Sequence, residues 1–199
     1  MTEISQVVAQ AGRLELGDKL RVGALLLVRY CSIYRDPKFS RWFEREQQVL
    51  GRVVDSAVQL VREDDVQTNL AELQQQLDEV LEENDPDGPP FQAEIVDHMV
   101  FATEVLEYLQ EPTDASKLAA ALERADELAE AHLEMSQEEE FPSSLDLVDF
   151  PALEGEARGL DVLATEDSDA ALARSQRFAQ AYADMVEAYY ADEDAGIFE

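Results

Sequence analysis

Residues 16–34 read LGDKLRVGALLLVRYCSIY and form the most apolar segment of the chain that has helical spacing. Apolar side chains recur here every three or four residues, which places them on one helical face: Leu16, Leu20, Ala24, Leu27, Cys31 and Tyr34. Val22, Leu25, Leu26, Val28 and Ile33 widen this face almost to the whole circumference. A helix that is apolar nearly all round is typical of a core. We therefore expect a buried central helix, with Leu20, Leu27 and Cys31 fully buried.

The rest of the chain carries one-sided helical patterns that need such a partner. Asp18 is the expected cap of the central helix, and Asp36-Pro37 the expected stop. Further helices are predicted over residues 3–12, 37 to about 62, 69–83, 91–110, 114–135 and 151–164, and a last one begins at 168. Loops are expected near 63–67, 84–90 and 136–150, and residues 192–199 are expected to form a flexible acidic tail. The predicted fold is all-α: one domain, residues 1–199, with about seven to eight helices.

Net charge is the most unusual property of the composition. The chain has 45 acidic and 15 basic residues, a formal net charge of −30, while hydrophobic residues still make up 46%. Residues 1–62 hold ten basic and seven acidic residues, whereas residues 63–199 hold five and 38. Such acidity disfavours nucleic acid and anionic membranes as partners, because like charges repel. The basic residues of the first third are expected to pair with acids elsewhere in the fold.

Cysteine content and hydropathy bear on the chemistry and the location. Cys31 is the only cysteine, so no disulfide can form within the chain. Its place on an apolar helix face predicts a buried, inert thiol. The longest apolar run, residues 22–28, is far shorter than the roughly 20 residues of a membrane span. With no signal peptide recognisable in residues 1–10, the expected location is cytoplasmic.

The two histidines define the only candidate metal or acid–base site. Glu94, Asp97 and His98 share one predicted helix, and Glu130 and His132 share the next. Glu94 and His98 are four residues apart, a spacing that can hold a metal ion. Against this, a histidine in so acidic a chain has a nearby carboxylate by chance. The Glu-x-x-His pairs of di-iron bundles are missing as well, because Ile95 and Ala129 occupy those positions. No catalytic residue, cofactor or metal is therefore predicted, and both histidines suit core positions.

Several segments resemble the YjaG-like bacterial family of small helical proteins, a domain of unknown function. They are the early helix of residues 14–34, the Pro/Asp loop before residue 91, and His132-Leu133-Glu134-Met135. Residues 151–156 (PALEGE) and Gly196-Ile197 are similar too. The resemblance implies an all-helical fold of about this length and carries over no catalytic residue.

Two classes of function follow. The first is a non-enzymatic protein-interaction module that binds a protein with a basic surface or associates with itself. The alternative is a metal-dependent or acid–base enzyme built on the helices of His98 and His132. Scarcity of lysine, three of the 15 basic residues, beside abundant acid also suggests a halophilic host.

Overall fold

The computed structural model describes residues 4–35, 40–62, 69–83, 91–137 and 148–189, without the side chains of residues 40–42 and 187–189. These residues form eight α-helices and no strand, which confirms the predicted all-α fold. The helices are α1 (Ile4–Ala11), α2 (Leu16–Cys31), α3 (Ser40–Arg62), α4 (Leu70–Glu82), α5 (Gln92–Gln110), α6 (Ala115–Ser136), α7 (Phe150–Asp161) and α8 (Ser168–Tyr189). A 3₁₀ turn, Ser32–Arg35, continues α2.

Helix α2 lies at the centre of the bundle, as the sequence predicts. It packs against α3, α5 and α8, and also contacts α6 and α7. Every residue from Val22 to Cys31 is buried, including Leu27 and Cys31. The axes of α2 and α5 approach closely at Gly23, where an added Cβ would lie 2.8 Å from Cδ2 of Leu109. A full core surrounds this helix because so much of its circumference is apolar.

The first turns of α2 differ from the prediction. Leu16 is 57% exposed and Leu20 is only half-buried, because the surrounding helices cover α2 from Val22 onward. The helix begins at Leu16, so Asp18 falls in its first turn and does not cap it. Glu15 occupies the N-cap position and its side chain makes no capping bond. The helical spacing was correct here, but periodicity does not show where a core ends.

Four other helices, unlike α2, begin with a side-chain cap. The side chains of Asn69, Asp114, Asp149 and Asp167 each accept a hydrogen bond from a backbone N–H in the first turn of the helix they precede. Helix α7 ends at Asp161, short of the predicted Ala164, whose φ of 49° is left-handed. The Asp36-Pro37 stop, the loops at 63–67 and 84–90, residues 138–147 of the third loop and the 192–199 tail lie outside the described residues.

Membrane-spanning character is missing from the described helices. None of them combines the length and the apolar content that crossing a bilayer requires.

Candidate functional site

Arg29 of α2 lies in the centre of the protein and binds two carboxylates of α7. Its Nε donates to Oε2 of Glu154 at 2.8 Å and its Nη2 to Oε1 at 3.2 Å, a two-bonded pairing. Its Nη1 donates to Oδ2 of Asp161 at 2.8 Å. All three side chains are completely buried. Burial alone lowers the pKa of Arg29, but the Glu154 and Asp161 charges more than offset it and hold the pKa above its ordinary value.

Two more arginines extend this ion network to α6 and α8. Arg174 donates from Nη2 to Oδ1 of Asp161 at 2.9 Å and from Nη1 to the Ala157 carbonyl at 3.0 Å. Arg158 is buried and places Nη2 2.7 Å from Oδ1 of Asp126. These ion pairs link α7 to α2, α6 and α8; the central groups are fully enclosed, whereas Arg174 and Asp126 at the edges are 13% and 31% exposed. Such a cluster positions helices, and its central members are too enclosed to meet a substrate.

Sequence reasoning missed this network. In the sequence, Arg29 directly follows the apolar run of residues 22–28, and Glu154 and Asp161 lie in a predicted helix without an assigned role. One signal was present: a cation inside an otherwise buried helix requires a buried acid as partner. The partners are 125 and 132 residues away along the chain, so no local pattern identifies them.

The structure brings His98 and His132 together in an aromatic cluster. Their rings stack with centroids 5.5 Å apart and an 11° angle between planes. Tyr182 of α8 stacks on both, with its ring centroid 3.8 Å from that of His132 and 5.3 Å from that of His98. Tyr30 of α2 and Phe150 of α7 pack at the edges. The two histidines thus occupy the core positions that the sequence suggested.

Both imidazoles are held neutral. The Nδ1–H of His98 donates to the Glu94 carbonyl at 2.6 Å, which leaves Nε2 with the lone pair and no described partner. Burial lowers the pKa of His98 to about 4, although the Glu94 bond acts in the opposite direction. Burial and the neighbouring His98 hold the pKa of His132 well below its usual value. A proton added here would be a buried charge without an acceptor.

The five candidate metal ligands do not converge. Asp97 and Glu130 are exposed on their helices, away from the two buried histidines, and Glu94 supplies its carbonyl to His98. Among the described residues, no group of three or more His, Cys, Asp or Glu side chains is arranged to hold a metal ion. Cys31 is buried, and burial raises the pKa of its thiol far above the ordinary value. That environment suits the inert thiol the sequence predicts.

The strongest feature of the described surface is an acidic face formed by α4, α5 and α6. These three helices pack in succession and carry 13 acidic residues against two basic ones, Lys117 and Arg124. One of the acids, Asp126, pairs with Arg158 of α7, which leaves 12 for this surface. Arg124 lies among the carboxylates, with Nη1 2.6 Å from Oε2 of Glu127 and Nη2 3.5 Å from Oε1 of Glu104. One guanidinium neutralises only a small part of the charge around it.

Three carboxyl groups on the acidic face have raised pKa values. Partial burial is the largest cause in each case. The Glu107 charge also raises the pKa of Asp78, and for Asp97 the Arg124 charge lowers the pKa while that of Glu127 raises it. Burial, Glu127 and Glu107 raise the pKa of Glu104 although Arg124 lowers it. Burial is thus the main cause of these raised pKa values, and repulsion between neighbouring carboxylates adds to it.

A small pocket lies where α1 and the start of α6 meet α2 and α5. Its volume is about 60 Å³, and Lys19, Tyr108 and Asp114 are among its lining residues. That space accommodates roughly two water molecules. It is several times smaller than the sites of roughly 300–1,000 Å³ that enclose small-molecule ligands.

Comparison with known proteins gives no relative: no family model, no curated protein and no solved structure matches this chain.

Proposed function

We propose that the protein is a non-enzymatic, cytoplasmic interaction module that binds a protein with a basic surface. The observation that carries the proposal is the acidic face of α4–α6, with 12 acidic and two basic residues. The acidic neighbours contribute to the raised pKa values of Asp78, Asp97 and Glu104, so their charges repel one another and an approaching cation relieves that repulsion. Complementary charge of this kind speeds association and selects partners by sign.

The enclosure of the ionisable groups in the core supports a binding role over the enzymatic alternative. His98, His132, Arg29, Glu154 and Asp161 are all buried, so none of them meets a molecule in solution. A general acid or base must come within hydrogen-bond reach of its substrate. The carboxylates of the acidic face, by contrast, include exposed ones such as Asp97 and Glu127, which can meet a partner.

Two further proposals concern origin. The first is that the chain belongs to the YjaG-like family, for which the support is the quoted segments; of these, residues 14–34 contain α2, His132–Met135 lie near the end of α6, and residues 151–156 lie in α7. Gly196-Ile197 lies outside the described residues. We also propose a host with a salt-rich cytoplasm, for which the acid excess and the three lysines are the support.

Neutralising the acidic face tests the function. Asp97→Asn, Glu104→Gln and Glu127→Gln are combined in one variant that removes three charges around Arg124. Its matched control removes three exposed acids outside the face, through Glu15→Gln, Glu44→Gln and Asp184→Asn. Each protein is immobilised and exposed to an extract of the cells that naturally make it, and the retained proteins are identified. Each retained protein is then purified, and its binding is titrated by calorimetry across a salt series.

We expect a basic protein that wild type and control retain and the face variant loses. Its association constant should fall steeply as salt rises, because ions screen the exposed charges. Identical retention by face variant and wild type, or an affinity insensitive to salt, would contradict the proposal.

A further inference from the structure

Helix α7 is amphipathic in the reverse of the usual sense. Its buried residues are Phe150, Glu154, Gly155, Ala157, Arg158 and Asp161, of which half are charged. Its leucines point the other way: Leu153 is 39% exposed and Leu160 half-buried, and Leu163, just beyond the helix, is 54% exposed. A helix on a protein surface normally buries its apolar stripe and exposes its charges. Here ion pairs hold the helix in place, so its leucines are not needed in the core and remain at the surface.

The exposed leucines belong to one continuous stripe, which we name the outer stripe of α7. It comprises Asp149, Leu153, Glu156, Leu160 and Leu163, separated by steps of four, three, four and three residues. This is the spacing with which one helix presents a seam to another. The turn preserves it, since Val162 is still helical and the Leu163 N–H donates to the Leu160 carbonyl at 3.1 Å. The stripe is about 21 Å long at 1.5 Å per residue.

Charge identifies the occupant of this seam. Asp149 and Glu156 alternate with the leucines, and α6, which packs against α7, exposes Glu130 and Glu134. A second copy of the chain would bring the same acids face to face and add its own net charge of −30. A helix with leucine-like residues on one side and lysine or arginine beside them satisfies both the apolar and the acidic positions.

We propose that the outer stripe of α7 is the docking seam for a basic amphipathic helix of the partner protein. The inference rests on the proposed function and extends it, because α6 belongs to the acidic face and borders α7. The acidic face attracts the basic partner over distance, and Leu153 and Leu163 supply the apolar contacts that hold it. A seam of this size alone gives a weak and reversible complex.

The test uses a defined probe, a peptide of leucine and lysine about five helical turns long with leucine at each a and d position. A scrambled peptide of the same composition has the same charge but no apolar side. Binding is measured by calorimetry and the contact surface by amide chemical shifts. The stripe variant combines Leu153→Ser and Leu163→Ser; the control variant is Leu16→Ser, which changes an equally exposed leucine elsewhere. Thermal melts verify that all three proteins are folded.

We expect shifts centred on α7, a dissociation constant about tenfold weaker for the stripe variant, and wild-type affinity for Leu16→Ser. Equal affinity of stripe variant and wild type overturns the seam. Chemical-shift changes confined to α4–α6 would also overturn the seam, but they would still agree with the proposed function. Dimerisation without peptide, abolished in the stripe variant, overturns the choice of occupant. If neither peptide binds at about 0.15 M salt, both proposals fail.

Discussion

At the scale of single residues, Arg29 is the side chain whose loss should matter most. Arg29→Met keeps the volume but leaves Glu154 and Asp161 without their main cation inside the core. Removing one partner of a buried ion pair costs about 3–5 kcal/mol, since the remaining charge stays desolvated. We expect that loss in the free energy of unfolding, measured by urea denaturation.

Arg35→Met is the matched control for Arg29→Met. Arg35 pairs with Asp55 at 2.9 Å, but both side chains are more than half exposed. Surface pairs of this kind contribute little, because water and salt screen them. Similar losses in the two variants would contradict the assignment of Arg29 as the central anchor.

His98 should make the stability of the fold depend on pH. Its folded pKa of about 4 lies below the unfolded value of 6.5, so protons bind preferentially to the unfolded chain. The contribution of neutral His98 to the free energy of unfolding is therefore fully present above pH 6.5. It is lost as pH falls toward 4, and the total loss is of the order of 3 kcal/mol. His98→Leu should flatten the decline in unfolding free energy between about pH 7 and 5. A decline as steep as that of wild type would place the responsible group elsewhere.

At the scale of the elements, Gly23 sets how closely α2 and α5 approach. An added Cβ would lie 2.9 Å from Cδ1 of Tyr108, whose ring is fixed because its hydroxyl donates to the Lys19 carbonyl. Gly23→Ala should lower the melting temperature and cost about 1–3 kcal/mol through overlap. Gly51→Ala in α3, where nothing lies within 4 Å of the new Cβ, should instead stabilise by about 0.5–1 kcal/mol. A stabilised Gly23→Ala protein would mean that the helices separate at little cost.

Helix order and most helix faces were predictable, because apolar periodicity is a local property. In the predicted helix of residues 91–110, the apolar residues at helical spacing are all buried, from Phe91 and Ile95 to Leu109. Helix α7 was not predictable in this way: its start was expected within one residue, but its polarity is inverted by Arg29 of a distant helix. Periodicity assigns apolar residues to the core, so it fails wherever a buried cation makes charged residues the better core partners.

At the scale of the whole molecule, charge is divided between two environments that respond differently to salt. Arg29, Glu154 and Asp161 are buried, where mobile ions do not reach them. The acidic face is exposed, and its carboxylates repel one another and oppose the compact state. The sequence alone predicted the net charge and its concentration after residue 62. It did not show that the acid-rich helices α4, α5 and α6 pack side by side, which depends on the tertiary fold.

Sodium chloride should therefore stabilise this protein. Ions screen repulsion over roughly 10 Å at 0.1 M and 3 Å at 1 M, so the melting temperature should rise across that range. Salt also weakens exposed ion pairs such as Arg35–Asp55, but the repulsive contacts on the acidic face are more numerous than these pairs. The buried ion network stays intact because mobile ions do not reach it. The variant with Asp97→Asn, Glu104→Gln and Glu127→Gln should start with a higher melting temperature at low salt and gain less from added salt. A melting temperature that stays flat or falls would count against a salt-rich host. In that case, binding of the basic partner would be the remaining explanation for the acidic face.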